Sequence, residues 1–184
     1  MFQKVLTTVA KELRRRRIPY MIIGGQAVLV YGEPRLTKDI DITLGLGIDG
    51  LDRVKSALQK LTLRILVDEP EEFVQQTMVL PTIDDTTGIR VDFIFSSSVY
   101  EAQAIRRAVD VTVGTAMVKF ASLEDVVIHK IIAGRARDLE DVKTILLKNP
   151  DYDARYIEEW LKQFDESLGE TFLQVFQNLR DEIQ

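Results

Sequence analysis

A chain of 184 residues, 46% hydrophobic and 29% charged, is long enough to bury a core of its own and has the balance of a soluble globular protein. A formal net charge of −5 argues against coating nucleic acid by bulk electrostatics and leaves only a local basic patch for such contact. The lack of cysteine excludes disulfides and thiolate metal sites; with no apolar run of membrane-spanning length and no signal-peptide pattern, a cytoplasmic protein is expected.

Residues 2–17 read as an amphipathic helix, with Val5, Val9 and Leu13 at near-helical spacing. The helix closes on Arg14-Arg15-Arg16-Arg17. Four cations there either complement the negative end of the helix dipole or form a tract for nucleic acid. Pro19 ends the helix and leads into an apolar strand over residues 20–23. That strand stops at Gly24-Gly25, a helix over residues 26–31 follows, and a turn at residues 32–34 precedes a second strand over residues 39–44. Without Cβ atoms, the glycine pair lets backbone N–H groups approach an anion at a helix N-terminus. The second strand carries Asp39 and Asp41 two positions apart, so both point to one face, roughly 6–7 Å apart along the strand, with Ile40 and Ile42 on the other. Carboxylates that close repel one another unless protons or cations neutralise them, and ligands that are all oxygen suit a hard ion such as Mg²⁺.

Further along come a loop over residues 45–50 and a helix over residues 51–61, with Leu51, Val54, Leu58 and Leu61 in phase. A short strand over residues 63–67 and a brief helix opening at Pro70 are expected next. Residues 77–83 and 89–95 flank the turn-rich Asp84-Asp85-Thr86-Thr87-Gly88 and read as a hairpin. In its second arm Ile89, Val91, Phe93 and Phe95 alternate with Arg90, Asp92 and Ile94. By itself Asp92 reads as a polar-face residue. If its strand pairs beside residues 39–44, it joins Asp39 and Asp41 in a cluster of three carboxylates able to hold two cations.

A helix over residues 99–107 and a hairpin of residues 109–113 and 117–120 lead to Ser122, which with an acidic residue three positions on forms a capping-box-like start to a helix running to Gly134. Lys130, Arg135, Arg137, Asp138 and Asp141 then crowd a helix–helix junction, either as a site or as a solvated, self-paired charge run. His129, the only histidine, reads as a helix-surface or packing residue rather than a catalytic base. The last part is helical, with one stripe of Tyr156, Ile157, Trp160, Leu161 and Phe164 and a second of Leu168, Phe172, Val175, Phe176, Leu179 and Ile183.

Gly24-Gly25, Arg35-x-Thr37-x-Asp39-Ile40-Asp41-Ile42 and the later Asp92 together resemble the DNA polymerase beta-type nucleotidyltransferase superfamily. Lys130 with Arg135-Ala136-Arg137-Asp138 and Asp141 is similar to its AbiEii branch, found as toxins of type IV toxin–antitoxin pairs. The matching blocks run from residue 20 to residue 142. The resemblance implies an α+β nucleotidyltransferase fold, a small mixed sheet with flanking helices. Residues 1–121 would form the catalytic core and residues 122–184 a helical C-terminal region packed on it. It further implies that Gly24 and Gly25 hold a nucleoside triphosphate through backbone amides and that Asp39 and Asp41 coordinate Mg²⁺. Asp92 would complete the metal site and help deprotonate an acceptor hydroxyl. Lys130 and Arg35 would contact phosphate, and Asp138 occupies the position of a further acid of the family.

Two departures stand out: many superfamily members have Gly-Ser at Gly24-Gly25, and relatives often have Lys-Asp at Arg137-Asp138. Two functions follow. One is a nucleotidyltransferase releasing pyrophosphate, with an RNA end, a protein hydroxyl or a small molecule such as an antibiotic as acceptor. The other is a non-catalytic nucleotide-binding or antitoxin-like module that binds a protein partner.

Overall fold

The computed structural model describes residues 2–34 and 36–183. Its chain divides into two compact units, Met1–Gln26 with Leu36–Ala121 and Ala27–Arg35 with Ser122–Gln184. No helix among the described residues is long and apolar enough to cross a membrane.

The first unit is built on a seven-stranded mixed sheet. Its strands are β1 (Tyr20–Ile23), β2 (Asp39–Leu44), β3 (Leu63–Ile65), β4 (Val79–Asp84), β5 (Arg90–Phe95), β6 (Val109–Val113) and β7 (Ala116–Phe120), in the order β3-β4-β5-β2-β1-β7-β6. The pairs β2–β5 and β1–β7 are parallel and the rest antiparallel. Period-two alternation puts Ile40, Ile42 and Leu44 of β2 and Val91, Phe93 and Phe95 of β5 into the core, all nearly inaccessible. The helix α1 (Phe2–Arg15) packs along β7 and buries Val5, Leu6, Val9, Ala10 and Leu13, the stripe its spacing predicts.

The end of α1 departs from the expected boundary. The helix stops at Arg15 because Arg17 turns to φ 53°, while Ile18 N–H donates to Leu13 O at 3.0 Å and Arg17 N–H to Arg14 O at 2.9 Å. That is a Schellman closure built on arginine where glycine is usual. The arginine tract is largely paired within the unit. Arg15 and Arg16 both hold Glu12, at 2.7 and 2.6 Å, and Arg14 holds Asp110 at 2.5 Å. Their hydrogen bonds pull the Glu12 carboxyl down to about 2. Arg16 also donates to the Ser56 hydroxyl and carbonyl, so the tract acts as a clasp at the helix end.

Two other helices differ in length from their expected spans. The helix α3 (Leu51–Leu58) ends a turn early, where residues 59–61 tighten into short turns, and α4 (Pro70–Thr77) runs longer before Met78 stops it at φ 61°. Between β2 and α3 lies a single 3₁₀ turn, Ile48–Gly50. The helix α5 (Val99–Arg107) matches its expected span and is capped by Ser98, whose hydroxyl accepts from Glu101 N–H.

The second unit is helical. The helix α2 (Gly24–Tyr31) begins in the first unit and continues into the second, which also holds α6 (Leu123–Ala133), α7 (Ala136–Lys148), α8 (Ala154–Leu168) and α9 (Phe172–Ile183). Ser122 caps α6 as expected, accepting from Asp125 N–H and donating its hydroxyl to the Asp125 carboxylate at 2.6 Å. Tyr156 donates to the other oxygen of that buried carboxylate at 2.9 Å. Ile157, Leu161, Phe176 and Leu179 are buried, as the stripes of α8 and α9 predict, but Leu168 is exposed, because it ends α8 just before Gly169 turns to φ 71°. His129 is a packing residue whose burial pushes its imidazole below the ordinary range, against an opposing pull from Asp125.

Candidate active site

The site begins with the alternation of β2 and β5. Because Ile40 and Ile42 face the core, Asp39 and Asp41 face away from it; because Val91 and Phe93 face the core, Arg90 and Asp92 face away. The two strands run parallel in a register that sets Asp39 beside Arg90 and Asp41 beside Asp92. Side chains level on neighbouring strands share a face, about 4.8 Å apart at the backbone. Three carboxylates and one guanidinium thus occupy the corners of a square on one face of the sheet. Asp39 is exposed, while Asp41 and Asp92 are partly covered.

The glycine pair closes one side of this square. Ile23 of β1 is in register with Asp41, so the next residue, Gly24, lies against that carboxylate. Gly24 adopts φ +63°, and a Cβ there would sit 3.1 Å from Asp41 Cγ and press on its Oδ2. Only glycine meets both demands. Gly24 and Gly25 are the first residues of α2, where backbone N–H groups lack intrahelical partners and the helix dipole favours an anion. The first turn of α2 is tied down by Gln26, whose side-chain amide donates to the Thr37 hydroxyl just ahead of β2. Replacing Gly24 with alanine is expected to cost about 1–2 kcal/mol of stability from the left-handed backbone and the crowding together. It should also lower any activity that needs Asp41 at least tenfold. Melting curves and turnover of the variant check this, and a variant matching the wild type in both would refute the reading of Gly24.

The side chains do not close into a ready ligand shell. Among the described residues, no three His, Cys, Asp or Glu side chains are gathered as a metal-holding group. Asp92 instead receives the Arg90 guanidinium on both oxygens, Nη2 lying 3.1 Å from Oδ1 and 3.0 Å from Oδ2. The residues nonetheless fit a hard divalent ion: the donors are all carboxylate oxygens, Asp41 and Asp92 are in register, and Gly24 leaves the Asp41 carboxylate the room a Cβ would take.

Lys130 and Asp138 lie in the second unit. Lys130 lies in the last turn of α6 and Asp138 in the first turn of α7, with Gly134 at φ +64° in the turn between the helices. The Lys130 ammonium is 2.5 Å from Asp138 Oδ1 and 3.0 Å from Asp141 Oδ2, and Arg135 Nε is 2.5 Å from Asp138 Oδ2. Burial would raise the Asp138 carboxyl, but hydrogen bonds from Arg135 and Lys130 hold it below the usual carboxylate range. Lys130, Asp138 and Asp141 are thus paired with one another, and the Lys130 and Asp138 side chains are 6% and 3% exposed, whereas Arg135 is 77% exposed. Arg35, the other expected phosphate contact, lies outside the described residues.

The Arg90–Asp92 pair escaped the sequence reading, although the two-residue spacing that places Asp39 beside Asp41 places Arg90 beside Asp92 as well. No comparable signal in the sequence announces the tie between Gln26 and Thr37.

Residues 19–183 match the family described as nucleotidyl transferase AbiEii toxin, type IV TA system. Among curated proteins none matches the chain. Solved structures share its fold. An antigenic nucleotidyltransferase-like protein from Paracoccidioides brasiliensis is 17% identical with a TM-score of 0.57, the alignment covering 94% of this chain and 92% of that one. The lincosamide antibiotic adenylyltransferase LnuA, solved with lincomycin bound, is 16% identical with a TM-score of 0.55, over 77% of this chain and 94% of its own. ANT(2″)-Ia in complex with adenylyl-2″-tobramycin is 15% identical with a TM-score of 0.52, over 100% of this chain and 99% of its own. The fold is thus the α+β nucleotidyltransferase fold.

Proposed function

The chain belongs to the AbiEii nucleotidyl transferase family, and from that premise we propose that it transfers a nucleoside monophosphate from a nucleoside triphosphate to a hydroxyl group, with Asp39, Asp41 and Asp92 as its catalytic carboxylates. The observation that carries the reading is the register of β2 on β5, which sets Asp41 level with Asp92 and beside Gly24. Mg²⁺ held by Asp39, Asp41 and Asp92 would neutralise phosphate charge and acidify the acceptor hydroxyl. The amides of Gly24 and Gly25 receive the triphosphate at the start of α2. Asp92, partly shielded from solvent, takes the proton of the acceptor hydroxyl as its oxygen attacks the α-phosphorus and pyrophosphate leaves. Positioning and charge stabilisation do most of such work.

Gly25 offers an amide where a serine would add a hydroxyl, so the triphosphate rests on backbone contacts at this turn. Lys130 reaches a phosphate only by leaving Asp138 and Asp141; the same three residues otherwise brace the junction of α6 and α7. The acceptor classes are an RNA end, a protein hydroxyl and an antibiotic-like small molecule, and a cognate antitoxin is the protein partner that the family's description suggests. A non-catalytic module that binds a protein partner is the second reading. It draws on the ion pairs that already occupy Lys130 and on the missing serine hydroxyl.

Incubation with each of four α-labelled nucleoside triphosphates, Mg²⁺ and cell lysate separates the two. Label entering RNA, protein or a small molecule, and absent with the Asp39→Ala/Asp41→Ala variant, supports transfer and names the acceptor class. No label above that variant with any nucleotide, with Mn²⁺ as well as Mg²⁺, rejects it in favour of the binding module.

A further inference from the structure

Among the described residues, Arg90 is the cation beside Asp92 on its face of the sheet. Along β5 it is flanked by Arg90 and Ile94; across the sheet it faces Asp41 on β2 and Pro81 on β4. Pro81 and Ile83, the β4 partners of Asp92 and Arg90, bring no charge. Arg90 is itself level with Asp39, so it stands between two of the three carboxylates and binds the more covered one with both oxygens. Its own side chain is 52% exposed, against 19% for Asp92, which leaves the guanidinium free to swing towards solvent or ligand while Asp92 stays in place. A planar guanidinium suits a carboxylate and a phosphate equally well.

We propose that Arg90 is a positioning residue that competes with the divalent cation for Asp92 and passes to the triphosphate once the cation displaces it, so that metal and nucleotide are taken up as a pair. The inference rests on the reading of Asp39, Asp41 and Asp92 as cation ligands. Without nucleotide, a cation must break the Arg90–Asp92 pair and leave the guanidinium without a partner among these carboxylates. With nucleotide, the phosphates receive the guanidinium and the exchange is offset. Arg90 thereby keeps the free protein from holding a tightly bound ion.

The test is Mn²⁺ titration of the full chain, read from the electron paramagnetic resonance of free Mn²⁺, beside binding of a non-hydrolysable nucleoside triphosphate analogue. Wild type, Arg90→Ala, Arg90→Gln, Arg90→Lys and Asp41→Ala are compared. Arg90→Ala and Arg90→Gln are expected to bind Mn²⁺ alone about three- to tenfold tighter, in line with loss of a half-exposed ion pair, yet the analogue more weakly. Arg90→Lys should fall between them and wild type. A merely structural role for Arg90 would lower both affinities together. If either affinity fails to move in its stated direction while Asp41→Ala abolishes Mn²⁺ binding, the role of Arg90 is overturned and the carboxylate reading stands. If Asp41→Ala binds Mn²⁺ as the wild type does, or no form binds it, the carboxylate reading fails and the inference with it.

Discussion

Replacing Asp41 with alanine is expected to slow nucleotidyl transfer by about a thousandfold while leaving the fold intact. Asp41 is the carboxylate with the most at stake in the square. It is level with Asp92, lies against the Gly24 backbone, and is more covered than Asp39. Its removal takes away a central ligand and also a negative charge that Asp92 must tolerate at close range. The substitution leaves the buried Ile40 and Ile42 on either side of it untouched, so the variant should still fold. Steady-state transfer rates and melting temperatures, taken side by side, check both halves. A folded variant with near-normal turnover would remove Asp41 from the chemistry, and a variant that fails to fold would make the residue structural.

Lys130→Ala carries the second large effect, and it falls on stability. The substitution leaves Asp138 and Asp141 facing one another with their shared ammonium gone, in a place where the Asp138 side chain is 3% exposed. Losing one partner of a buried ion pair typically costs about 3–5 kcal/mol. Combining Lys130→Met with Asp138→Asn and Asp141→Asn removes all three charges and should recover much of that loss, because the cost lies in the excess negative charge left at the junction, where Arg135 remains on Asp138. The pH dependence follows in sign. The folded Asp138 carboxyl titrates below its unfolded value, so its contribution is present above the ordinary carboxylate range and is lost as acid protonates the folded group. The wild type should weaken in acid along that path, and Lys130→Ala should show a flatter acid limb. Urea unfolding across pH measures this. A Lys130→Ala variant within 1 kcal/mol of wild type would show that the pair contributes little.

The strands of the first unit were legible because a two-residue period is local. Asp39 with Asp41 behind a glycine pair, and Asp92 within an apolar run, declare which residues leave the core. Whether β5 would lie beside β2 was not legible, since that pairing joins residues about fifty positions apart and no local pattern encodes it; the sequence supports it only as a condition, which the sheet register fulfils. Helix ends were less well read. Arg17 and Met78 adopt left-handed conformations that close their helices and that residue type does not announce. The buried pairing of Lys130 with Asp138 depends on the turn at Gly134 folding α6 back towards α7, which sequence spacing alone did not separate from a solvated run. The resemblance carried the fold and the transfer chemistry; the burial of Lys130 and the hold of Arg90 on Asp92 came from the side-chain geometry.

The most direct test of the central claim compares one nucleoside triphosphate labelled at the α-phosphate with the same nucleotide labelled at the γ-phosphate, using the acceptor that the lysate identifies. If the carboxylates of β2 and β5 drive nucleotidyl transfer, the α-label joins the acceptor, the γ-label leaves as pyrophosphate, and both events stop in the Asp39→Ala/Asp41→Ala variant. Label reaching the acceptor from the γ-position, or transfer that persists in the variant, would contradict the account.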